Sequence, residues 1–105
     1  MSRRILIIDD EDDIRQVAAL SLETVAGWDV IVANSGAQGL QRAAEHLPDA
    51  ILLDVMMPGM DGPTTFRELR KNPVTAKIPV LLLTAKVQGP DQRHQNAGSE
   101  FRVEA

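Results

Sequence analysis

The chain has 105 residues, which is enough for one small domain with a single hydrophobic core. Its net charge of −4 excludes a general electrostatic attraction to nucleic acid or to an anionic membrane. Cysteine is absent, which excludes disulfides and thiolate metal sites, and no apolar run is long enough to span a membrane. We therefore expect residues 1–105 to form one cytoplasmic domain without a membrane or nucleic-acid partner.

The first strand and the first helix are predicted near the amino terminus. Ile5–Ile8 is a short, mostly β-branched apolar run, typical of a strand that is buried on both faces. Asp12 or Asp13 can cap the helix that follows, and Gly27 can end it. Its apolar residues recur at intervals of three and four: Ile14, Val17, Ala18, Leu22 and Val25.

A second strand and a second helix follow in the same order. Val30–Ala33 predicts the strand, Asn34 or Ser35 the N-cap of the helix, and Pro48 its end. The helical spacing predicts an inner face made of Ala37, Leu40, Ala44 and Leu47.

The third and fourth strands are predicted at Ala50–Leu53 and Val80–Thr84. Between them, Pro63 suits the first turn of a helix that the Asn72-Pro73 pair would end. The polar stretch 89–98, "GPDQRHQNAG", can form one more short helix. Buried strands that alternate with helices predict a doubly wound α/β fold with a parallel sheet.

Polar side chains follow three of these strands where each one ends. Asp9 and Asp10 follow the first strand, Asp54 the third, and Thr84 ends the fourth. Each residue could simply serve its own turn, as a lone Asp often does. However, ligands of open parallel sheets bind at the carboxyl ends of the strands, so a shared site is the better interpretation.

Clustered carboxylates repel each other, and a cation would relieve that repulsion. An oxygen-only ligand set suits a hard cation such as Mg²⁺ or Mn²⁺. Mg²⁺ is usually held by one or two carboxylates together with a phosphate oxygen, so the site implies a phosphoryl group. A carboxylate can itself act as the nucleophile and form an aspartyl-phosphate.

Three sequence blocks, "LIIDDE", "ILLDVMMPGMDG" and "VLLLTA", resemble the motifs of response-regulator receiver domains of two-component signalling. The match spans nearly the whole chain in order and spacing. It implies a flavodoxin-like, CheY-like three-layer sandwich. Its partner would be a sensor histidine kinase or a phosphotransfer protein, and its function would be signalling rather than enzymatic turnover.

The resemblance also implies roles for individual residues. Asp54 would be the phospho-acceptor. Asp10 would bind the metal directly and Asp9 mainly through a water molecule. Asp54 and the backbone carbonyl of Met56 would complete the protein ligands, and the Thr84 hydroxyl would turn toward the phosphoryl group.

Four further polar residues are open to more than one interpretation. Glu11 can line the acidic pocket or be a solvated carboxylate at the start of a helix. Lys86 is a candidate phosphate ligand, although a loop Lys is more often solvated. His46 and His94 fall on predicted polar helix faces, so we expect both at the surface.

The chain departs from the family pattern near its carboxyl end. Receivers carry a Lys at the end of a fifth strand and then a fifth helix, whereas here the spacing puts that Lys at Ala105 or beyond. The fifth strand could only be "EFRVEA", with Phe101 as a stand-in for the aromatic switch residue. Residues 98–101, "GSEF", also resemble a cloning linker, which would mark 99–105 as foreign to a truncated receiver.

A C-terminally incomplete receiver would expose part of its sheet. The strand edge at Val80–Leu83 would be open unless "EFRVEA" pairs with it, and one sheet face would lack helical cover. Exposed apolar edges and faces recruit other chains, so we expect a homo-oligomer that forms through the edge or the face.

Two other functions stay open at this point. A remnant that keeps the fold but has lost the switch could serve as an assembly or interaction module. A hydrolase with an aspartate nucleophile would need an Asp-x-Asp pattern after the first strand, but it leaves the "MMPGMDG" block without a role and ranks third.

Overall fold

A computed structural model describes residues 3–85 and 99–104; for Thr84, Ala85 and 99–104 it describes the backbone alone. The elements are β1 (Arg4–Ile8), α1 (Asp12–Ser21), a π-helical turn (Leu22–Ala26), β2 (Asp29–Ala33), α2 (Gly36–His46), β3 (Ala50–Asp54), α3 (Gly62–Lys71), β4 (Val80–Ala85) and β5 (Ser99–Glu104). The predicted alternation of strands and helices is confirmed as far as β4. The helix predicted within 89–98 lies outside the described residues. Among the residues that are described, no helix has the length and apolarity needed to cross a bilayer.

The sheet has the strand order β2-β1-β3-β4-β5. The first four strands are parallel, as predicted, and Asp54 pairs with Leu83 at their carboxyl ends. The fifth strand, β5, pairs antiparallel with β4 from Ala85 opposite Ser99 to Val80 opposite Glu104, so the parallel part of the sheet ends at β4. An antiparallel return needs no helical crossover, and it pairs the β4 edge, which is the alternative that the sequence left open for "EFRVEA".

The main core lies between the sheet and the helices α2 and α3. It contains the fully buried residues Leu6, Ile8, Ile51, Leu53 and Leu69. Successive strand residues point to opposite faces, so this face takes every second residue of each strand. On the opposite face, α1 packs against β1 and β2, and the π-helical turn packs against β2. Together these contacts give the three-layer sandwich that the sequence predicts.

Helix α2 begins as predicted, but the face that it buries is not the face that the sequence predicts. Ser35 is the N-cap, and its hydroxyl accepts a hydrogen bond from the backbone N–H of Gln38 at 3.1 Å. The predicted inner face is wrong, except for the half-buried Leu40, because the buried residues are Gly36, Gly39 and Ala43 while Ala37, Ala44 and Leu47 are exposed. A Cβ at Gly39 would lie 2.4 Å from Ile8 Cδ1, so the glycine lets the helix approach β1 closely.

Helix α1 also differs from the prediction at its start. Glu11 occupies the N-cap position, and Asp12 and Asp13 lie in the first turn rather than at the cap. Carboxylates in a first turn are favoured by the positive end of the helix dipole, so these residues suit the helix without capping it. Gly27 ends the π-helical turn with φ +69°, which confirms the predicted stop.

The apolar stripe of α1 faces the sheet only in part. Ala18 and Leu22 are half-buried, whereas Ile14, Val17 and Val25 are exposed. The helix packs against β1 and β2, so only the narrow side that faces these strands is covered.

Helix α3 follows its sequence signals. Asp61 is the N-cap, Pro63 lies in the first turn, and the helix ends before Asn72. Its first turn is thereby fixed directly after the loop that follows β3.

Candidate functional site

The carboxyl ends of β1 and β3 bring three carboxylates together. Asp9 and Asp10 directly follow β1, and Asp54 is the last residue of β3. One carboxylate oxygen from each residue lies within 4.8 Å of the others. Asp9 is buried, while Asp10 and Asp54 are half-buried. The structure thus brings together the three Asp residues that the sequence predicts at one edge of the sheet.

Hydrogen bonds hold the loop between β1 and α1 around Asp9. The Asp9 backbone N–H donates to the Ala33 carbonyl at 3.1 Å, and its Oδ1 accepts from the Glu11 N–H at 2.9 Å. Arg15 Nη1 donates to the Asp9 carbonyl at 2.7 Å, and Arg15 also forms an ion pair with Asp12. The Glu11 N–H orients the Asp9 carboxylate, and the other contacts fix the Asp9 backbone.

Arg15 is a site residue that the sequence reasoning missed. Its side chain is largely buried beside the acidic cluster, with the guanidinium on the backbone of Asp9. One signal was present in the sequence, because Arg15 follows Asp12 by three residues on a predicted helix and such pairs lie on the same face. The reach back to Asp9 depends on the shape of the loop and could not be read from the spacing.

The loop after β3 holds Asp54 and Met56. The Met56 backbone N–H donates to Asp54 Oδ1 at 3.2 Å, and the Gly62 N–H donates to the Val55 carbonyl at 3.0 Å. A Cβ at Gly62 would lie 2.5 Å from the Asp54 carbonyl oxygen and 2.6 Å from Val55 Cα. Backbone atoms cannot move aside cheaply, so only glycine lets α3 begin this close to the end of β3.

The electrostatics of the cluster favour protonation or a bound cation. Burial raises the pKa of Asp54 to about 7, and the charges of Asp9 and Asp10 add to that effect, while the hydrogen bond from Met56 opposes it. Burial also raises the pKa of Asp9, with the Glu11 N–H and the Arg15 charge acting in the opposite direction. Near neutral pH, these carboxylates are therefore not all stably ionised together without a counter-charge.

The donor set fits a hard divalent cation. All three side chains offer carboxylate oxygens, and burial raises the pKa of Asp9 and of Asp54, with the negative charge of the neighbouring Asp10 adding to the effect on both. Mg²⁺ and Mn²⁺ prefer such oxygen ligands. The residues that would hold the ion are Asp9, Asp10 and Asp54, together with a backbone oxygen of the adjacent loop.

The remaining candidate residues fall into two groups. Thr84 follows Leu83, the register partner of Asp54, so its backbone lies at the same edge of the sheet, but its hydroxyl lies outside the described residues. Lys86 and His94, together with the side chain of Phe101, also lie outside them.

Glu11 and His46 are described, and both are exposed. Glu11 sits at the start of α1, apart from the cluster of three Asp residues, which agrees with the reading of a solvated carboxylate at a helix start. His46 ends α2 and takes part in the fold through its backbone carbonyl, which accepts from Arg4 Nη1 at 3.4 Å. The expectation that His46 lies at the surface is confirmed.

Comparison with known proteins identifies the family. Residues 5–98 match the family model described as "Response regulator receiver domain". The chain is 50% identical over 86 residues to "Response regulator PleD" of Caulobacter vibrioides, and the match covers 81% of this chain and 18% of that protein. It is 46% identical over 94 residues to "DNA-binding dual master transcriptional regulator RpaA" of Synechocystis sp., with 84% of this chain and 39% of that protein covered.

Solved structures agree with the sequence comparison. The N-terminal domain of a response regulator receiver protein from Methanoculleus marisnigri matches with a TM-score of 0.77 and 39% identity, over 88% of this chain and 74% of that chain. The chemotaxis protein CheY4 of Vibrio cholerae matches with a TM-score of 0.77 and 30% identity, over 90% and 77%. The chain therefore belongs to the response regulator receiver family, and it spans well under half the length of the curated relatives named here.

Proposed function

We propose that this receiver domain accepts a phosphoryl group on Asp54 from a sensor histidine kinase or a phosphotransfer protein, with Mg²⁺ or Mn²⁺ bound beside it. The observation that supports the proposal is the convergence of Asp9, Asp10 and Asp54, whose carboxylate oxygens lie within 4.8 Å of one another. Three carboxylates this close repel one another, and they suit a site that handles a cation and a phosphoryl group.

Asp54 is suited to be the nucleophile by its position and its surroundings. It ends the central strand β3, and the Met56 N–H donates to its Oδ1 at 3.2 Å; we assign the attack to the other carboxylate oxygen, Oδ2. A bond forms between this oxygen and phosphorus, the bond from phosphorus to the donor atom breaks, and the donor keeps the electron pair. Attack needs the ionised carboxylate. With a pKa of about 7, Asp54 is about half protonated at neutral pH unless a cation is bound.

The other site residues divide the remaining tasks. We assign direct metal binding to Asp10, binding through water to Asp9, and a further ligand to the Met56 backbone carbonyl. The Thr84 hydroxyl would donate to a phosphoryl oxygen. When bound, the metal would neutralise charge on the phosphoryl group during transfer.

Two statements about the whole chain are also proposals. Residues 1–105 form one receiver domain, and this domain works in the cytoplasm, where its kinase partner would present the phosphoryl group. The net charge of −4 supports a partner other than nucleic acid for this domain.

A small phosphodonor tests the assignment of Asp54. Incubation with acetyl phosphate and Mg²⁺, followed by intact mass spectrometry, is expected to show one labile phosphoryl adduct that Asp54→Asn abolishes. Asp61→Asn is the matched control, because Asp61 is an exposed carboxylate in the loop that follows Asp54, and its adduct should persist. An adduct that survives Asp54→Asn would refute the assignment. No adduct in the wild type would favour a remnant that does not switch.

Thermal unfolding tests the metal site separately from phosphorylation. Saturating Mg²⁺ is expected to raise the midpoint by several degrees, since a ligand that binds only the folded state stabilises it. Asp10→Asn should remove most of this increase and Asp61→Asn should keep it. If Mg²⁺ leaves the wild type and Asp10→Asn equally unchanged, the site does not bind the ion.

A further inference from the structure

The proposed function gives no role to Arg15, a basic residue of α1 whose side chain is only 15% exposed. Burial of a guanidinium is costly unless its charge and its N–H groups find partners. Here Nη1 donates to the Asp9 backbone carbonyl at 2.7 Å, and Nη2 pairs with the Asp12 carboxylate. The fold therefore anchors a largely buried positive charge on the loop that carries two Asp residues of the acidic cluster.

Arg15 holds this loop, which joins β1 to α1, at both of its ends. Its guanidinium binds the Asp9 carbonyl, and its backbone N–H donates to the Glu11 carbonyl at 3.1 Å as the first hydrogen bond of the helix. Asp10 lies between these two carbonyls in the chain. The Asp9 carbonyl belongs to the planar peptide group that joins Asp9 to Asp10. The hydrogen bond to its oxygen therefore fixes the plane from which the Asp10 side chain departs.

The orientation of this peptide plane matters because the three carboxylates repel one another. One oxygen from each of Asp9, Asp10 and Asp54 lies within 4.8 Å of the others, and like charges this close are unfavourable. Residues 9–11 belong to neither a helix nor a strand, so no regular backbone pattern holds them in place. Without an anchor, the loop could relieve the repulsion by turning Asp10 away from the other two carboxylates.

We propose that Arg15 is a positioning residue for the metal, which holds the peptide group between Asp9 and Asp10 so that both carboxylates can bind one divalent cation together with Asp54. This inference rests on the proposed function and deepens it, because it names a residue that sets the metal affinity of the site. Residues that orient metal ligands without touching the ion commonly change metal affinity by about 10- to 100-fold when they are replaced.

The charge of Arg15 taken alone predicts a change of the opposite sign. A guanidinium beside the site repels a divalent cation, so a purely electrostatic role would let the cation bind more tightly once the charge is removed. A positioning role predicts weaker binding, because the released loop no longer presents Asp9 and Asp10 to the ion together. The direction of the change in affinity therefore separates the two roles.

Three variants separate the charge, the geometry and the outer contact of Arg15. Arg15→Gln removes the charge and the contact with Asp9, and it should weaken the dissociation constant for Mn²⁺ at least roughly tenfold. Arg15→Lys keeps the charge but replaces the planar fork with a single ammonium group, so its affinity should lie between those of Arg15→Gln and the wild type. Asp12→Asn should weaken binding by less than about threefold, because the Asp12 side chain is 76% exposed and exposed ion pairs are weak.

Electron paramagnetic resonance of free Mn²⁺ measures binding of the ion alone, without a phosphodonor, and competition gives the affinity for Mg²⁺. Arg67→Gln and Arg67→Lys are matched controls, since Arg67 Nη2 donates to Thr64 Oγ1 at 3.2 Å within α3 and does not hold the acidic cluster. Both should stay within about twofold of the wild type. The ratio of affinities between the wild type and Arg15→Gln should be the same at about pH 7.5 and about pH 8.5, because the role is geometric and does not depend on protonation.

A measurement without metal keeps the proposal testable if Arg15→Gln folds poorly. The Glu11 N–H donates to Asp9 Oδ1 at 2.9 Å, and in EDTA its hydrogen exchange should be faster in Arg15→Lys than in the wild type, while Arg67→Lys leaves it unchanged. If circular dichroism shows that Arg15→Gln is unfolded, Arg15→Lys replaces it in the titrations. Wild-type affinity and wild-type exchange in Arg15→Lys would then overturn the proposal.

The titrations distinguish failure of this proposal from failure of the proposed function. A wild type that binds no Mn²⁺ would remove the metal site, and both proposals with it. A wild type that binds Mn²⁺ while Arg15→Gln binds it equally or more tightly would overturn the role of Arg15 alone. A loss of affinity that disappears at about pH 8.5 would do the same, since it would trace to protonation of the carboxylates rather than to their position.

Discussion

The two faces of the central sheet differ in how they are covered, although the same strands supply both. In β3, Leu53 faces α2 and α3 and is fully buried, while its neighbour Leu52 lies on the α1 side and is only half-buried. The alternation of strand residues makes this contrast possible within two consecutive positions. We infer that the face toward α2 and α3 supplies most of the folding stability of the described residues.

Truncation of these two leucines should show the largest difference. Leu53→Ala removes a fully buried side chain and leaves a cavity, with an expected cost of roughly 3 kcal/mol in the free energy of unfolding. Leu52→Ala removes the same atoms from a half-covered site and should cost roughly 1 kcal/mol. Urea unfolding of dilute monomer measures both variants. Equal losses in the free energy of unfolding would mean that the α1 side of the sheet is as well packed as the side that faces α2 and α3.

The second prediction concerns the backbone contact that supports the acidic cluster. Gly62→Ala would place a methyl group 2.5 Å from the Asp54 carbonyl oxygen, so we expect a loss of about 2 kcal/mol together with a weaker stabilisation by Mg²⁺. Gly27→Ala is the matched control, since Gly27 has φ +69° but open space around it. It should cost about 1 kcal/mol and leave the effect of Mg²⁺ unchanged. If both variants lose the stabilisation by Mg²⁺, the close contact at Gly62 is not what supports the acidic cluster.

The acidic cluster was predictable because it depends on strand ends. Short apolar runs mark where Ile8 and Leu53 must lie, and polar residues directly after such runs share one edge in a parallel sheet. No knowledge of side-chain packing is needed for that step. The prediction that Asp9, Asp10 and Asp54 converge therefore agrees with the structure.

Features that depend on packing could not be predicted in the same way. The inner face of α2 is set by close contact between Gly39 and Ile8. A search for apolar spacing gives glycine little weight, so it selected a different face of the helix. The antiparallel direction of β5 depends on long-range pairing rather than on local pattern. Arg15 was missed because its guanidinium reaches the Asp9 carbonyl across a loop.

The pH dependence of stability should distinguish the charged edge of the sheet from its apolar parts. Asp54 has an ordinary pKa of 3.8 when unfolded and about 7 when folded, so the folded protein holds more protons between about pH 4 and pH 7. Without metal, the free energy of unfolding should therefore fall as the pH rises through this window. The contribution is on the order of 1 kcal/mol once solvent screening of a partly exposed group is allowed for.

Replacement of the carboxylate tests that slope. Without metal, Asp54→Asn should flatten the dependence of the free energy of unfolding on pH between pH 5 and pH 7.5. A smaller slope should remain because the pKa of Asp9 is also raised. Asp61→Asn should leave the slope as it is, because the Thr64 N–H lowers the pKa of Asp61 and moves its titration below this window. Thermal melts in EDTA measure all three proteins. A profile that is unchanged by Asp54→Asn would show that Asp54 is not the group that titrates.

The smallest effect is expected at the outer surface of α1. Val17→Thr exchanges a methyl group for a hydroxyl at a side chain that is 65% exposed, and in dilute monomer it should change the free energy of unfolding by less than about 0.5 kcal/mol. Val80→Thr makes the same exchange at a fully buried position that belongs to the main core, where an unpaired hydroxyl costs about 1–3 kcal/mol. Chemical unfolding at submicromolar concentration measures both. If Val17→Thr proves as costly as Val80→Thr, Val17 is covered in solution, and the contrast between the outer surface of α1 and the main core does not hold.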